Sequence, residues 1–219
     1  MNWKTFTQRY RDGDRSLGSR SSTLLMALSF LDKEHHNVFA ETGTTRKNLL
    51  NTSSVEERAA DGGATVLLGD FCKTYGGEVW TCDIDAGNIE NCKIATREYA
   101  DVTKYHVGDS VDFLDKFGKD IDFLYLDSVD SHEPGANEHQ LKEIQAAMKW
   151  LDKSSVILLD DLGAKTQLSI PFLKANNWCQ ILIDIPYPSH YNNFQQGLFV
   201  HETTLYTNHS LIPVEQRYK

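Results

Sequence analysis

Five short apolar runs in this 219-residue chain each end in a carboxylate. Asn37 to Glu41 gives way to Glu41-Thr42-Gly43-Thr44-Thr45-Arg46, and Glu78 to Asp83 gives way to Asp83-Ile84-Asp85. Thr103 to Val107 leads into Gly108-Asp109-Ser110. Ile121 to Asp127 leads into Ser128-Val129-Asp130-Ser131-His132, and Ser154 to Asp160 into Asp161-Leu162-Gly163. One acid at a strand end is ordinary helix capping. Five delivered to one rim are costly unless a ligand or a cation uses them. Gly43 lets the backbone turn sharply and approach a ligand closely. Asp83 is placed to accept from both hydroxyls of a ribose, and Asp109 from an exocyclic amine such as that of adenine. In Asp61-Gly62-Gly63-Ala64-Thr65 the small residues, Gly63 among them, let backbone N–H groups at a helix start face an anionic group.

The elements that must position these residues follow from periodicity. Helical patterns cover Thr65–Tyr75, Ala86–Tyr99, Val111–Phe117, Glu138–Leu151 and Thr166–Asn176, alternating with the apolar runs. Continuous apolar strands separated by helices predict a parallel sheet covered on both faces. Right-handed crossovers then give a doubly wound α/β fold. Near the end, Trp178 to Ile185 and Gly197 to Thr204 are strand-like with no helix between them, so they should pair antiparallel. The expected sheet is mostly parallel and seven-stranded, with a C-terminal antiparallel hairpin, in one domain over residues 37–219. The hairpin connection, Pro186 to Gln196, contains His190, Tyr191, Asn192 and Asn193, which suit a sugar-like or aromatic ligand as well as they suit a polar loop. Lys47 to Ala60 reads as an excursion between the first turn and its helix.

Residues 1–36 form an arm and a helix. The arm carries Lys4, Arg9, Arg11, Arg15 and Arg20, and Ser21 or Ser22 is expected to cap a Leu-rich helix over 23–34. The arm reads as a solvated leader before a packed helix, or alternatively as a flap over a ligand or a homodimer contact. Lys plus Arg is 22 against 31 Asp plus Glu, a net charge of −9. That surplus argues against nucleic acid and anionic membrane as partners, because phosphate contacts need positive charge. No apolar run approaches the roughly 20 residues needed to span a bilayer. Cys72, Cys82, Cys92 and Cys179 form no CxxC pair, so reduced thiols and a cytoplasmic location are expected.

Taken in order, ETGT, DGGAT, VWTCDID, VGDS, FLYLDS and ILLDD resemble the motifs of class I S-adenosylmethionine-dependent methyltransferases, in a small-molecule or glycan O-methyltransferase branch, over about residues 37–204. The resemblance implies S-adenosylmethionine as cofactor, with Glu41, Gly43, Thr44 and Gly63 near its methionine part and Asp83 on the ribose. It also implies Asp109 and Ser110 at the adenine and Asp127 near the sulfonium. Thr44-Thr45-Arg46 departs from the family's glycine-rich loop, so the approach to the cofactor differs there. In the family's cation-dependent members, the positions of Asp127, Asp160 and Asp161 hold a divalent metal. Three hard oxygen ligands would suit Mg²⁺, which would orient and acidify an acceptor hydroxyl.

Asp127 and His132 are the candidate catalytic groups, with His132 as a general base or, alternatively, a surface loop histidine. His139, on the following helix, is expected to face solvent. Two further readings remain open. Asp83-Ile84-Asp85 also resembles the entry of haloacid-dehalogenase-like Mg²⁺ phosphatases, although Gly87 stands where Thr or Val is usual. A cofactor-binding module without turnover would keep the adenosyl site and lack an acceptor side.

Overall fold

The computed structural model describes residues 1–47, 63–181 and 196–207. Strands β1 (Asn37–Thr42), β2 (Gly77–Asp83), β3 (Thr103–Val107), β4 (Ile121–Leu126), β5 (Leu151–Leu159), β6 (Trp178–Ile181) and β7 (Gly197–His201) form one sheet in the order β3-β2-β1-β4-β5-β7-β6. All neighbours pair parallel except β7, which runs antiparallel to both β5 and β6. The expected doubly wound sheet with an antiparallel closure is therefore present.

Alternation along the central strands explains why both faces are dry. Phe39, Phe123, Tyr125, Val156 and Leu158 enter one core, and Ala40, Leu124, Leu126, Ile157 and Leu159 the other. The first face is covered by α1 (Trp3–Arg11), α2 (Ser19–Ser29) and α3 (Ala64–Tyr75). Against the second pack α5 (Ser110–Asp115), α6 (Ala136–Ala147) and α7 (Ser169–Ala175). The remaining helices are α4 (Ala86–Ala95), after β2, and α8 (Glu202–Thr207), after β7.

The N-terminal arm corrects one expectation. It is no solvated leader: Phe6 and Tyr10 of α1 are buried, and Phe6 packs among Trp3, Phe71 and Tyr75. Three of its five cations engage acids of the folded chain. Arg9 and Tyr10 both reach Asp70 Oδ2, at 2.9 and 2.8 Å, and Arg15 pairs with Glu98 and contacts the Tyr99 hydroxyl. Helix α2 starts at Ser19 after Gly18 rather than after Ser21 or Ser22, because the Ser21 hydroxyl sits one turn in and accepts from Leu17 N at 2.7 Å. At the other end Glu202–Thr204, expected as strand, open α8. The excursion over 48–60, Asp61 and Gly62, and the hairpin connection with His190 to Asn193 lie outside the described residues.

Candidate functional site

The strand order reverses between β1 and β4, so the crevice of this sheet opens where those two strands end. The two exits interlock. Gly43 N donates to Cys82 O at 2.9 Å, and Asp127 N donates to Thr42 O at 2.9 Å. Gly43 has φ +75°, and a Cβ placed there would stand 2.1 Å from the Asp127 carbonyl oxygen. Only glycine fits a turn that is both left-handed and pressed against the next strand's exit.

On one side of this contact is a cleft of about 370 Å³, counted with its open mouth. Gly43, Asp83, Ile84, Asp109, Ser110 and Val129 line it. The Asp83 carboxylate ends β2 and is held in place by its neighbours. Oδ1 accepts from Asp85 N at 2.9 Å and Oδ2 from Thr44 N at 3.3 Å, while Asn88 Nδ2 approaches both oxygens. Asp109 also lines the cleft, and its Oδ1 caps α5 by accepting from Asp112 N. The Ser128 hydroxyl at the cleft wall is buried and makes no hydrogen bond among the described residues.

His139 does not face solvent as expected. It lines the cleft, with Nε2 2.9 Å from Ser110 Oγ and 3.6 Å from Glu143 Oε1. Its pKa is raised, chiefly by the buried Glu143 carboxylate beside it. A polar residue on α6 had no sequence signal for this inward turn.

Glu41 is buried beneath the Gly43 turn. Its Oε2 accepts from Thr65 Oγ1 at 2.7 Å, and Thr65 Oγ1 accepts from Thr45 N at 3.2 Å. Burial raises the Glu41 pKa to about 7, which the hydrogen bond from Thr65 partly opposes. The carboxyl thus ties the first turn to α3. Gly63 precedes α3 in a left-handed conformation, φ 52°.

On the other side of the Gly43–Asp127 contact, the structure brings Asp127, Asp160 and Asp161 together, one oxygen of each within 4.8 Å of the others. Four groups that the sequence did not connect to this cluster complete it. Arg20, from the start of α2, donates from Nη2 to Asp160 Oδ2 at 2.5 Å, and Gln196 donates to Asp160 Oδ1 at 2.8 Å. Lys165 Nζ lies 3.7 Å from Asp127 Oδ1 and 3.8 Å from Asp161 Oδ2. Tyr125 donates to Asp127 Oδ2 at 3.2 Å. Asp161 sits at φ 55°, a strained backbone for a non-glycine residue. Burial and the neighbouring Asp160 charge raise the pKa of both Asp127 and Asp161. Burial lowers that of Arg20, but Asp160 outweighs it and the net shift is upward.

This cluster does not suit the Mg²⁺ expected of it. Both oxygens of Asp160 already accept from protein donors, and two buried cations supply +2 against three carboxylates. A dication would have to share those oxygens with a guanidinium and an ammonium. His132 stays apart: its side chain is 75% exposed and lies against Glu133 at 3.4 Å. Among the described residues no contact joins it to the acid cluster.

The sequence matches the family described as methyltransferase domain over residues 59–162, a span running from the start of α3 through the acid pair at the end of β5. The matched span, just under half of this chain, is that of a methyltransferase domain. Solved structures agree in fold. NSun6 from Pyrococcus horikoshii, determined with SFG, superposes with a TM-score of 0.58 at 15% identity over 82% of this chain and 51% of that one. An rRNA methylase from Streptococcus thermophilus gives 0.56 at 9% identity, covering 83% of this chain and 95% of that one. Precorrin-6y C5,15-methyltransferase from Geobacter metallireducens gives 0.51 at 14% identity, covering 85% and 89%. This chain thus spans about half the length of the NSun6 chain. Curated protein sequences gave no match.

For a class I methyltransferase the cleft has the needed parts. There is a glycine turn with no room for a side chain, an oriented acid at the end of β2, an apolar wall and, at Ser128, a buried hydroxyl unpartnered among the described residues. Asp85 is spent capping α4, accepting from Gly87 N at 2.6 Å. That use, with the family match, removes the phosphatase reading of Asp83-Ile84-Asp85.

Proposed function

We propose that this chain transfers a methyl group to a hydroxyl oxygen of a small polar acceptor, a small molecule or a glycan. The observation that carries the reading is the contact between Gly43 and Asp127, which sets the cleft and the carboxylate cluster back to back. Asp83 then takes the ribose hydroxyls, Asp109 and Ser110 the adenine edge, and Gly43 and Thr44 the methionine part. Glu41 and Gly63 hold the loop and helix start that shape that end of the cleft.

S-adenosylmethionine supplies the electrophilic methyl carbon: the acceptor oxygen bonds to it as the carbon–sulfur bond breaks, leaving S-adenosylhomocysteine. The acceptor's proton must go elsewhere in the protein. Asp127 is the group placed to receive it, since it follows β4 beside the Gly43 turn and its side chain is 22% exposed. His132 is better read as a loop histidine, on its exposure and its Glu133 neighbour.

Some structural relatives are rRNA methylases by name, so a nucleic-acid acceptor must be weighed. The −9 net charge opposes it. So does the engagement of Arg9, Arg15 and Arg20 with Asp70, Glu98 and Asp160, which takes three of the arm's five cations into ion pairs within the protein. Among the described residues no helix is long and apolar enough to cross a membrane, and all four cysteines are free thiols, in keeping with a reducing compartment. The test is methyl transfer from radiolabelled S-adenosylmethionine to panels of phenols, catechols, sugars and short RNAs. Label on a hydroxyl of a small acceptor is expected. Label confined to RNA, or carried on carbon or nitrogen, would overturn the proposal.

A further inference from the structure

We propose that the ammonium of Lys165 takes the place of a divalent cation in the acceptor half of this site, so that methyl transfer proceeds without a metal. The inference rests on the methyltransferase reading for the identity of the neighbouring acceptor, but what it says of the cluster stands on the cluster's own geometry.

Asp127, Asp160 and Asp161 converge as a ligand set would, yet the position between the two outer acids is held by a side chain of the same chain. Lys165 Nζ lies at nearly equal distances, 3.7 and 3.8 Å, from Asp127 Oδ1 and Asp161 Oδ2. The lysine is 1% exposed, and its ammonium makes no hydrogen bond among the described residues. A buried charge without hydrogen bonds is unfavourable, and here its compensation is the charge of the acids around it. The inner acid is closed off independently, since Arg20 and Gln196 occupy its two oxygens.

An ion bound to Asp127 and Asp161 at ordinary Mg²⁺–oxygen distances of about 2.1 Å would lie within a few ångströms of the ammonium, in a place from which water is largely excluded. The ammonium and the ion are therefore alternatives. Asp127 and Asp161 keep 22% and 19% of their side chains exposed, whereas Lys165 keeps 1%. The lysine acts through them as a positioning residue: it holds both carboxylates in place and offsets their mutual repulsion while their outer edges meet the acceptor.

Removing the lysine should therefore turn the cluster into a metal site. Mn²⁺, a spectroscopically visible substitute for Mg²⁺, is titrated by calorimetry and electron paramagnetic resonance into the wild type, Lys165→Ala, Lys165→Arg and the double variant Lys165→Ala/Asp161→Asn. S-adenosylhomocysteine is titrated into each as a separate control on the cofactor site. The expected result is no saturable Mn²⁺ binding for the wild type and Lys165→Arg, with wild-type turnover undiminished in excess chelator. Lys165→Ala should bind Mn²⁺ at least tenfold more tightly than wild type and lose that gain in the double variant. Saturable Mn²⁺ binding to the wild type that disappears in Asp161→Asn overturns the proposal, as does a folded Lys165→Ala that gains no affinity. If Lys165→Ala does not fold, Lys165→Met carries the same comparison and the wild-type titration still decides. Loss of S-adenosylhomocysteine binding in the wild type would instead strike the methyltransferase reading and leave the metal result to be judged alone.

Discussion

Arg20 and Asp160, 140 residues apart in sequence, meet at 2.5 Å with their side chains 5% and 0% exposed. The pair fastens the N-terminal helix α2 to the end of β5 and sits directly behind the acid cluster. The fold's first segment thereby becomes part of its functional rim. Removing one partner leaves the other charged and buried, which typically costs about 3–5 kcal/mol. Arg20→Ala should therefore lower stability by that order in chemical denaturation, and Arg20→Met with Asp160→Leu should recover much of it. Equal losses in the single and double variants would show that the pair is not what holds α2 in place.

Glu41 gives a pH dependence whose sign is fixed by its shift. Burial raises its pKa from the ordinary carboxyl range to about 7, so the folded state prefers the protonated acid. The stability associated with that proton is fully present below about pH 4.5 and is lost as pH rises through 7. The decline is up to about 3 kcal/mol, an upper bound at 1.36 kcal/mol per pH unit. Denaturation midpoints measured from pH 5 to pH 8 should fall for the wild type, and the Glu41→Gln variant should show a flatter profile. Parallel profiles would mean that the carboxyl is ionised throughout.

Gly43 is tested by the smallest possible change. A methyl group at φ +75° and 2.1 Å from the Asp127 carbonyl oxygen cannot be accommodated without moving a strand exit. Gly43→Ala should destabilise the protein by about 1–3 kcal/mol and weaken S-adenosylhomocysteine binding more than tenfold. Calorimetric titration that finds wild-type affinity would place the cofactor elsewhere.

The two candidate bases separate cleanly. His132→Ala should leave the methyl-transfer rate within about twofold of wild type, because the ring is exposed beside Glu133. Asp127→Asn should lower it by about 100-fold or more, the usual scale for a lost general base. Single-turnover rates with bound cofactor make the comparison free of binding effects. A large loss in His132→Ala with a small one in Asp127→Asn would reverse the assignment.

Much of this architecture can be read from local sequence because each strand announces itself twice, by its apolar run and by the acid that ends it. Thr103–Val107 is observed at its expected bounds, and Asp83 and Asp109 stand at the cleft as the motif order implied. Contacts that depend on distant chain segments left no such mark. Arg20 was one cation among five in a polar arm, and only the packing of α1 and α2 on the sheet turns it toward Asp160. Lys165 follows Asp161 by four residues, a spacing that suggests a surface ion pair, yet the turn after β5 buries it. His139 reads as part of a polar helix face, and its inward orientation is set by Ser110 and the buried Glu143, which that pattern does not distinguish. Metal ligation likewise followed from three acids in register, whereas the cations beside them, Arg20 and Lys165, come from outside the motif.

The most direct measurement is calorimetric titration of S-adenosylhomocysteine into the wild type and into Asp83→Ala, with thermal unfolding of both recorded alongside. Saturable one-to-one binding to the wild type is expected, reduced at least 30-fold in the variant (about 2 kcal/mol) with the unfolding midpoint little changed. Absence of binding to the wild type, or equal affinity in the two proteins, would contradict the assignment of the cleft between Gly43, Asp83 and Asp109 as the cofactor site.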